Sequence, residues 1–292
     1  MYQTQSDRYW ILGLVSVLTS TSVLTLSASC ALAQIKADDS LGSEHSVITE
    51  TPVNGNSVYQ INGGAVRGNN LFHSFDQFSL PQGTTAHFNN ATNIQNIISR
   101  VTGNSISDID GTIKANDTAN LFLINPHGIV FKSNAALDIK GSFIASTASS
   151  FNFNDNIQFS ATNPQTVPLL AVGVPIGLQF GTHAAAIHNQ SQASFKGATN
   201  SLNSPAGLQV ASGKTLALVG GDLILEGGNI TASQGRIELG SVGNNSLVEI
   251  KTNNQNWILG YENVQNFQNI QLTNRGVVDA SGEGSGSIHL QG

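Results

Sequence analysis

Short apolar runs recur along this chain, and none has the length or period of a helix. Leu121-Phe122-Leu123-Ile124 is one such run. Others fall at residues 129–131, 137–139, 142–145, 215–219, 223–225, 237–239, 248–250 and 270–272. No stretch of 10–15 residues places its apolar side chains with the 3.6-residue period of an amphipathic helix. Gly, Asn, Asp or Ser fills most gaps, and run starts lie about seven to ten residues apart, which is the spacing of short strands joined by turns.

One internal match goes beyond composition. Residues 229–233 (Asn-Ile-Thr-Ala-Ser) resemble residues 277–281 (Val-Val-Asp-Ala-Ser), and each is followed by a second short run, at 235–239 and 286–290. The 48-residue offset reads as two coils of about 24 residues each. The expected fold is therefore all-β: a right-handed parallel β-helix, a solenoid whose Val, Ile and Leu side chains point inward from each coil onto the next. Asn suits the corners of such a coil, because it tolerates left-handed dihedrals and can bond to its neighbours in a stack. A β-sandwich is the competing all-β architecture. It would show clearer hairpin turns and longer alternation.

Three segments depart from the repeat. Residues 34–67 are less regular and are expected to cap the N-terminal end, since an open terminal coil is an unpaired sheet edge. Residues 151–180 contain Pro164, Pro168 and Pro175 and read as an excursion from the helix with extra antiparallel strands. Residues 288–292 stop in mid-repeat with no visible cap. This reads as a longer protein cut short, or as a final coil that frays.

Composition agrees with many short strands. Charged residues are 10% of the 292-residue chain, against roughly 25% in an average soluble protein. Gly occurs 30 times, and Asn is about as frequent. A coiled coil or helix bundle needs Glu, Lys, Ala and Leu together in quantity, and a chain this poor in charge excludes both. A hydrophobic fraction of 39% argues against disorder. The net charge of −6 argues against a nucleic-acid partner, which rewards basic patches.

The N-terminus is expected to be a signal peptide, residues 1–33. Arg8 precedes an apolar core from Trp10 to Leu18, a Ser/Thr-rich stretch follows, and Ala31-Leu32-Ala33 offers the small residues that a signal peptidase inspects. Cleavage is expected between Ala33 and Gln34. An uncleaved membrane anchor is the alternative, because the uncharged run could span ~30 Å of hydrocarbon; its Ser and Thr residues dilute it. Cys30 suggests a lipoprotein, but Leu26 lies one position too early for the usual lipid-attachment box. Residues 34–292 then contain no cysteine, so stability must come from packing and hydrogen bonds rather than disulfides.

Residues 120–131 (Asn-Leu-Phe-Leu-Ile-Asn-Pro-His-Gly-Ile-Val-Phe) resemble the signature of the filamentous haemagglutinin N-terminal domain. That family is also called the two-partner secretion or haemagglutination activity domain. Its motif, Asn-Pro-Asn-Gly-Ile, stands here as Asn125, Pro126, His127, Gly128 and Ile129, with His in the third place. Segments 71–78, 94–103, 109–113, 142–147, 174–180, 213–222 and 235–240 match in the family's order. The resemblance runs from about residue 46 to the end and is greatest to cyanobacterial members. A second family motif, Asn-Pro-Asn-Leu, has no clean counterpart; Asn89-Asn90-Ala91-Thr92-Asn93 stands in its place.

The resemblance implies an exported surface protein with an adhesin or haemagglutinin-like role. Its partner would be an outer-membrane two-partner secretion transporter that recognises the domain in the periplasm through soluble domains. The chain would cross unfolded and fold into a β-helix at the surface, where it meets a host or surface carbohydrate or protein. A contact-dependent toxin with its toxic part further C-terminal is the alternative, and a β-helical polysaccharide-active enzyme ranks third.

Several motifs suggest chemistry and fail on spacing. Ser212-Gly213-Lys214-Thr215 resembles a phosphate loop, but Leu208 stands where the motif needs Gly. The Gly220-Gly221-Asp222 run is single, whereas a calcium β-roll needs tandem nonapeptides. His183 and His188 suit neither helical zinc spacing nor a closed site. Asp108 and Asp110 are the closest acidic pair in the matched region, but they lead into Gly111 and read as a turn. No catalytic residue, metal or cofactor is expected. Asn125 through Gly128 is expected to be a tight turn, with Pro fixing φ, Gly allowing positive φ, and Asn125 bonded to nearby backbone amides. Phe72, Phe75 and Phe78 are expected in the core.

Overall fold

The computed structural model describes residues 1–2, 34–53, 55–165, 169–253 and 256–292, the side chains of residues 34 and 155 excepted. Residues 3–33 of the expected signal peptide, with Cys30 and Ala33 at its cleavage site, and Pro168 lie outside the described residues.

Each coil passes through three strand positions. At the first, strands Asn70–Ser79, Asn96–Val101, Asn120–Ile124, Phe143–Ser146, Thr215–Gly220, Arg236–Ser241 and Ser287–Gln291 stack in parallel. At the second, Ser107–Ile109, Ile129–Phe131, Ile187–Asn189, Leu223–Glu226 and Ile270–Thr273 do the same. The third is held by Asn56–Gly63, Thr85–Phe88, Thr112–Ala115 and Ala136–Asp138 in the early coils. In later coils it passes to Leu208–Gln209, Ile230–Thr231 and Val278–Asp279. This is the parallel β-helix that the strand pattern predicts, and no α-helix occurs among the described residues.

Stacked asparagines show the length of a coil directly. Asn70, Asn96 and Asn120 begin successive first-face strands, 26 and 24 residues apart. Asn96 Nδ2 donates to Asn70 Oδ1 at 3.0 Å and Asn120 Nδ2 to Asn96 Oδ1 at 2.9 Å. Asn120 Oδ1 in turn accepts the backbone N–H of Ser142, 22 residues on. A second ladder runs through Asn62, Asn89 and Asn116 at 2.8 and 3.1 Å. Each rung contributes about 1 kcal/mol net, and each satisfies polar groups that a bare corner would leave exposed.

The coils are not uniform, and one expectation from the sequence is corrected. Ile230 pairs directly with Val278, so the 48-residue offset between the matching segments is one coil, not two. The extra length is a hairpin, Leu247–Asn253 with Asn256–Gly260, that leaves the helix and returns. The earlier excursion behaves in the same way, putting 73 residues between Ser142 and its partner Thr215 on the next coil. Its strands Ser150–Asn152, Gln158–Ser160 and Gly177–Gln179 join the hairpin in one five-stranded antiparallel sheet.

That outer sheet covers the first face. Strand side chains alternate between two cores because successive residues point to opposite sides of a sheet. Leu121 and Leu123 point into the solenoid with Ile97, Phe143, Leu216 and Ile237. Phe122 and Ile124 point outward with Ile98, Ile144 and Val219, against Phe151, Phe159, Leu178, Val248 and Trp257. Two-sided burial explains why these strands read as unbroken apolar runs. Phe72 belongs to the outer core, and Phe75 and Phe78 to the inner; all three are at most 1% exposed.

At the N-terminal side, pairing turns antiparallel. Gln34–Ala37 and Ala65–Arg67 both pair with Asn70–Ser79, and Ser46–Val53 pairs with Asn56–Gly63. On the last coil Leu272, Ile288 and Leu290 are about half exposed.

Candidate functional site

The signature residues form one corner of the third coil. Strand Asn120–Ile124 ends on the first face and Ile129–Phe131 begins on the second, with four residues turning the chain between them. The N–H of Gly128 donates to the carbonyl of Asn125 at 3.1 Å, which closes a β-turn. Pro126 supplies a fixed φ and Gly128 adopts φ +118°. A Cβ on Gly128 would stand 3.3 Å from the carbonyl oxygen of Ala186 and 3.5 Å from Ile106. The expected turn is present.

Asn125 is fully buried and satisfied on both sides of its amide. Its Oδ1 accepts the N–H of His127 at 3.0 Å. Its Nδ2 donates to the carbonyl of Ser105 at 3.0 Å and to Ser107 Oγ at 2.9 Å, both on the preceding coil. The backbone completes the stack: Ser107 N–H donates to Gly128 and Ile129 N–H to Ala186. The corner thus lies between the corner below, 105–107, and the corner above, 185–186. Ile129 is buried in the core, Pro126 is half-buried and His127 is exposed. In the folded protein, only Pro126 and His127 of the motif present side chains to a partner. Sequence reasoning finds the turn but not Ser105, Ser107 and Ala186, because stacking partners come from other coils. Gln34, at the expected cleavage point, is the first residue of strand Gln34–Ala37.

The other sequence candidates do not converge with this corner. Asp108 pairs with Lys132 Nζ at 2.6 Å, and Asp110 accepts both the backbone and the amide N–H of Asn134 at 3.0 Å. Both carboxylates hold coil to coil. His183 is exposed beside Thr182, and His188 is half-buried within Ile187–Asn189. Of the Ser212–Thr215 run, Ser212 and Gly213 sit in a turn closed by Lys214 N–H donating to Ala211, and Thr215 opens the strand that follows. Asp222 accepts from Asn269 on the next coil at 3.0 Å. Among the described residues, no group of three His, Cys, Asp or Glu is placed to hold a metal ion.

One polar cluster was not legible in the sequence. Arg100 is 1% exposed. Its guanidinium donates to Ser74 Oγ at 2.8 Å, Ser40 Oγ at 2.7 Å and the carbonyl of Ser160 at 2.6 Å, and lies 4.1 Å over the ring of Phe159. Asp38 accepts from Ser40, Ser74 and Thr102. Burial lowers the Arg100 pKa to about 10, against the attraction of Asp38, and the group stays charged at neutral pH. The cluster joins the N-terminal strands, two coils and the outer sheet.

Fold and corner together define a parallel β-helical solenoid with sealed corners and one face sheathed by an antiparallel sheet. The TPS secretion domain matches residues 33–290, and the chain belongs to that family. Domains of this family are recognised by an outer-membrane transporter, the second partner in two-partner secretion. No curated protein matches the chain. Among solved structures it is similar to the HMW1 secretion domain from Haemophilus influenzae, at 19% identity and TM-score 0.49 over 84% of this chain and 51% of that one. It is also similar to a filamentous hemagglutinin secretion domain, at 15% identity and TM-score 0.29 over 87% of this chain and 99% of that one. The chain spans about half the length of the HMW1 structure.

Proposed function

We propose that residues 34–292 are the secretion domain of a surface adhesin, delivered to the periplasm by residues 1–33 and then through the outer membrane by a partner transporter. The observation that carries this reading is the family match over residues 33–290. Cleavage after Ala33 would leave the chain starting at its first strand, Gln34–Ala37. Residues 34–67 then serve as the N-terminal cap, since their strands lie antiparallel on the edge of the first coil and occupy backbone groups that would otherwise invite edge pairing.

Within the domain, the Asn125–Ile129 corner is the feature the transporter reads. Asn125, Gly128 and Ile129 set its shape, and Pro126 and His127 are its accessible surface. Replacing His127 with Glu should reduce export while urea melts of the purified chain stay within about 0.5 kcal/mol, the usual range for exposed positions; replacing half-buried Pro126 with Ala should reduce export with a stability loss of up to about 1 kcal/mol from the freed φ. Normal export of both variants would remove the corner from recognition and leave it a structural turn.

A further inference from the structure

We propose that Asn62 is a self-modifying residue. The backbone nitrogen of Gly63 closes onto its side-chain carbon, ammonia leaves, and the strand beside the N-terminal cap is left with aspartate or isoaspartate. This chemistry is independent of export.

An Asn-Gly pair offers the least hindrance to such a cyclisation, because glycine has no side chain beside the attacking nitrogen. The chain has two such pairs, Asn54-Gly55 and Asn62-Gly63. Asn62 and Gly63 end strand Asn56–Gly63, opposite Val47 and Ser46 on the antiparallel strand Ser46–Val53. On that side Gly64 donates its N–H to the carbonyl of His45. Successive N–H groups of a strand point to opposite edges, so the N–H of Gly63 points the other way. There, among the described residues, nothing accepts it. Gly63 is exposed, so hydroxide reaches its nitrogen. The fold also keeps this labile pair in place. Gly63 has φ +67°, and a Cβ on it would stand 2.6 Å from the carbonyl oxygen of His45.

The Asn62 amide is held at its oxygen and free at its nitrogen. Asn89 Nδ2 donates to Asn62 Oδ1 at 2.8 Å, and Asn116 Nδ2 holds Asn89 in turn at 3.1 Å. A donor at Oδ1 stabilises the negative charge that this oxygen gains during attack. Asn62 Nδ2 has no hydrogen-bond partner among the described residues, so nothing retains the leaving group. Solvent balances the step. Hydroxide takes the proton from the Gly63 nitrogen, the bond from that nitrogen to Cγ forms, and the Cγ–Nδ2 bond breaks. Nδ2 leaves as ammonia with a proton from water. Water then opens the cyclic imide at either carbonyl. One opening gives aspartate, which still accepts from Asn89 and keeps the ladder. The other gives isoaspartate, which routes the main chain through Cγ and makes it one atom longer. The extra atom falls between the residue paired with Val47 and the residue paired with Ser46, where it breaks the register with the cap strand.

The test uses the full chain carrying Asn54→Gln, so that one Asn-Gly pair remains. The folded protein would be held at neutral and at mildly alkaline pH and sampled by peptide mapping. The peptide containing residue 62 should change from amide to acid, split between aspartate and isoaspartate, faster at the higher pH. Its rate should lie within about tenfold of the rate in urea, a barrier difference under about 1.4 kcal/mol. Asn89→Asp keeps an acceptor for Asn116 and loses the donor to Asn62. Conversion should then slow roughly tenfold, less than the hundredfold or more of a preorganised oxyanion donor, because Asn89 is exposed to water. Asn62→Gln should abolish the signal. Circular dichroism and melting of each variant establish that it is folded. Three outcomes overturn the proposal: an Asn62 that converts in urea and stays intact in the folded chain, an unchanged rate in folded Asn89→Asp, or the same mass change in the Asn62→Gln peptide.

Discussion

Asn125 spends all its side-chain hydrogen bonds inside the protein, which makes it the costliest residue of the corner to lose. Asn125→Ala removes bonds to Ser105, Ser107 and His127. At about 1 kcal/mol each, with partners left buried, the loss should be about 3 kcal/mol in a urea melt. Gly128→Val should cost at least as much, because φ is +118° and a β-branched side chain is strained there. His127→Asn should change stability by less than about 0.5 kcal/mol, since the side chain is exposed. A loss under about 1 kcal/mol for Asn125→Ala would contradict the assigned bonding. His73 offers a second residue-scale test. It lies fully buried between Phe75 and Phe88, with Nδ1 2.9 Å from Ser46 Oγ, and burial lowers its pKa to about 3. The unfolded chain takes up its proton near pH 6.5, so between pH 6.5 and 3 the unfolded state binds more protons. Stability should fall with falling pH across that window, by up to about 1.4 kcal/mol per pH unit from this group. Melts between pH 6.5 and 4.5 should show this slope, and His73→Leu should remove it. The turn at Asn125 is legible because Pro, Gly and Asn act locally. The burial of His73 is not: it follows from the phase of Leu71, His73 and Phe75 facing inward, and neither phase nor facing coil is visible in a polar residue by itself.

Strands of the first face were legible as strands, but their two-sided burial was not assigned. A run such as Leu121–Phe122–Leu123–Ile124 says that both faces are covered; it does not say what covers them. The outer sheet comes from two insertions far apart in sequence, and the second, residues 247–260, was read as part of the solenoid repeat. Gly240 shows why the hairpin is hard to foresee. A Cβ there would stand 2.1 Å from the hydroxyl of Tyr261, so a glycine in one strand reserves space for an aromatic ring 21 positions on. The Arg100 cluster works at this scale too, tying the N-terminal strands to coils and sheath. Arg100→Met should destabilise the protein by roughly 3 kcal/mol, because several charge-assisted bonds disappear and half-buried Asp38 loses its compensating charge. Amide hydrogen exchange should accelerate first at residues 34–40 and 158–160, whose partners depend on the guanidinium. Uniform acceleration across all coils would contradict that localised role.

At the scale of the whole molecule, stacking replaces the disulfides that many exported proteins use. Residues 34–292 hold no cysteine; inner and outer cores, asparagine ladders and carboxylate–amide corners connect one coil to the next. If the chain crosses the outer membrane unfolded, as the export proposal requires, no covalent crosslink has to be threaded and each folded coil can template the next. The architecture was legible in the sequence because its units are short and punctuated; coil lengths were not, because insertions hide inside them. The direct test is export from cells that make the full chain with or without its outer-membrane transporter. The account predicts extracellular protein beginning at Gln34 only when the transporter is present, with the chain held in or degraded from the periplasm when it is absent. Equal release in both cells, or an extracellular chain that retains Trp10, would contradict it.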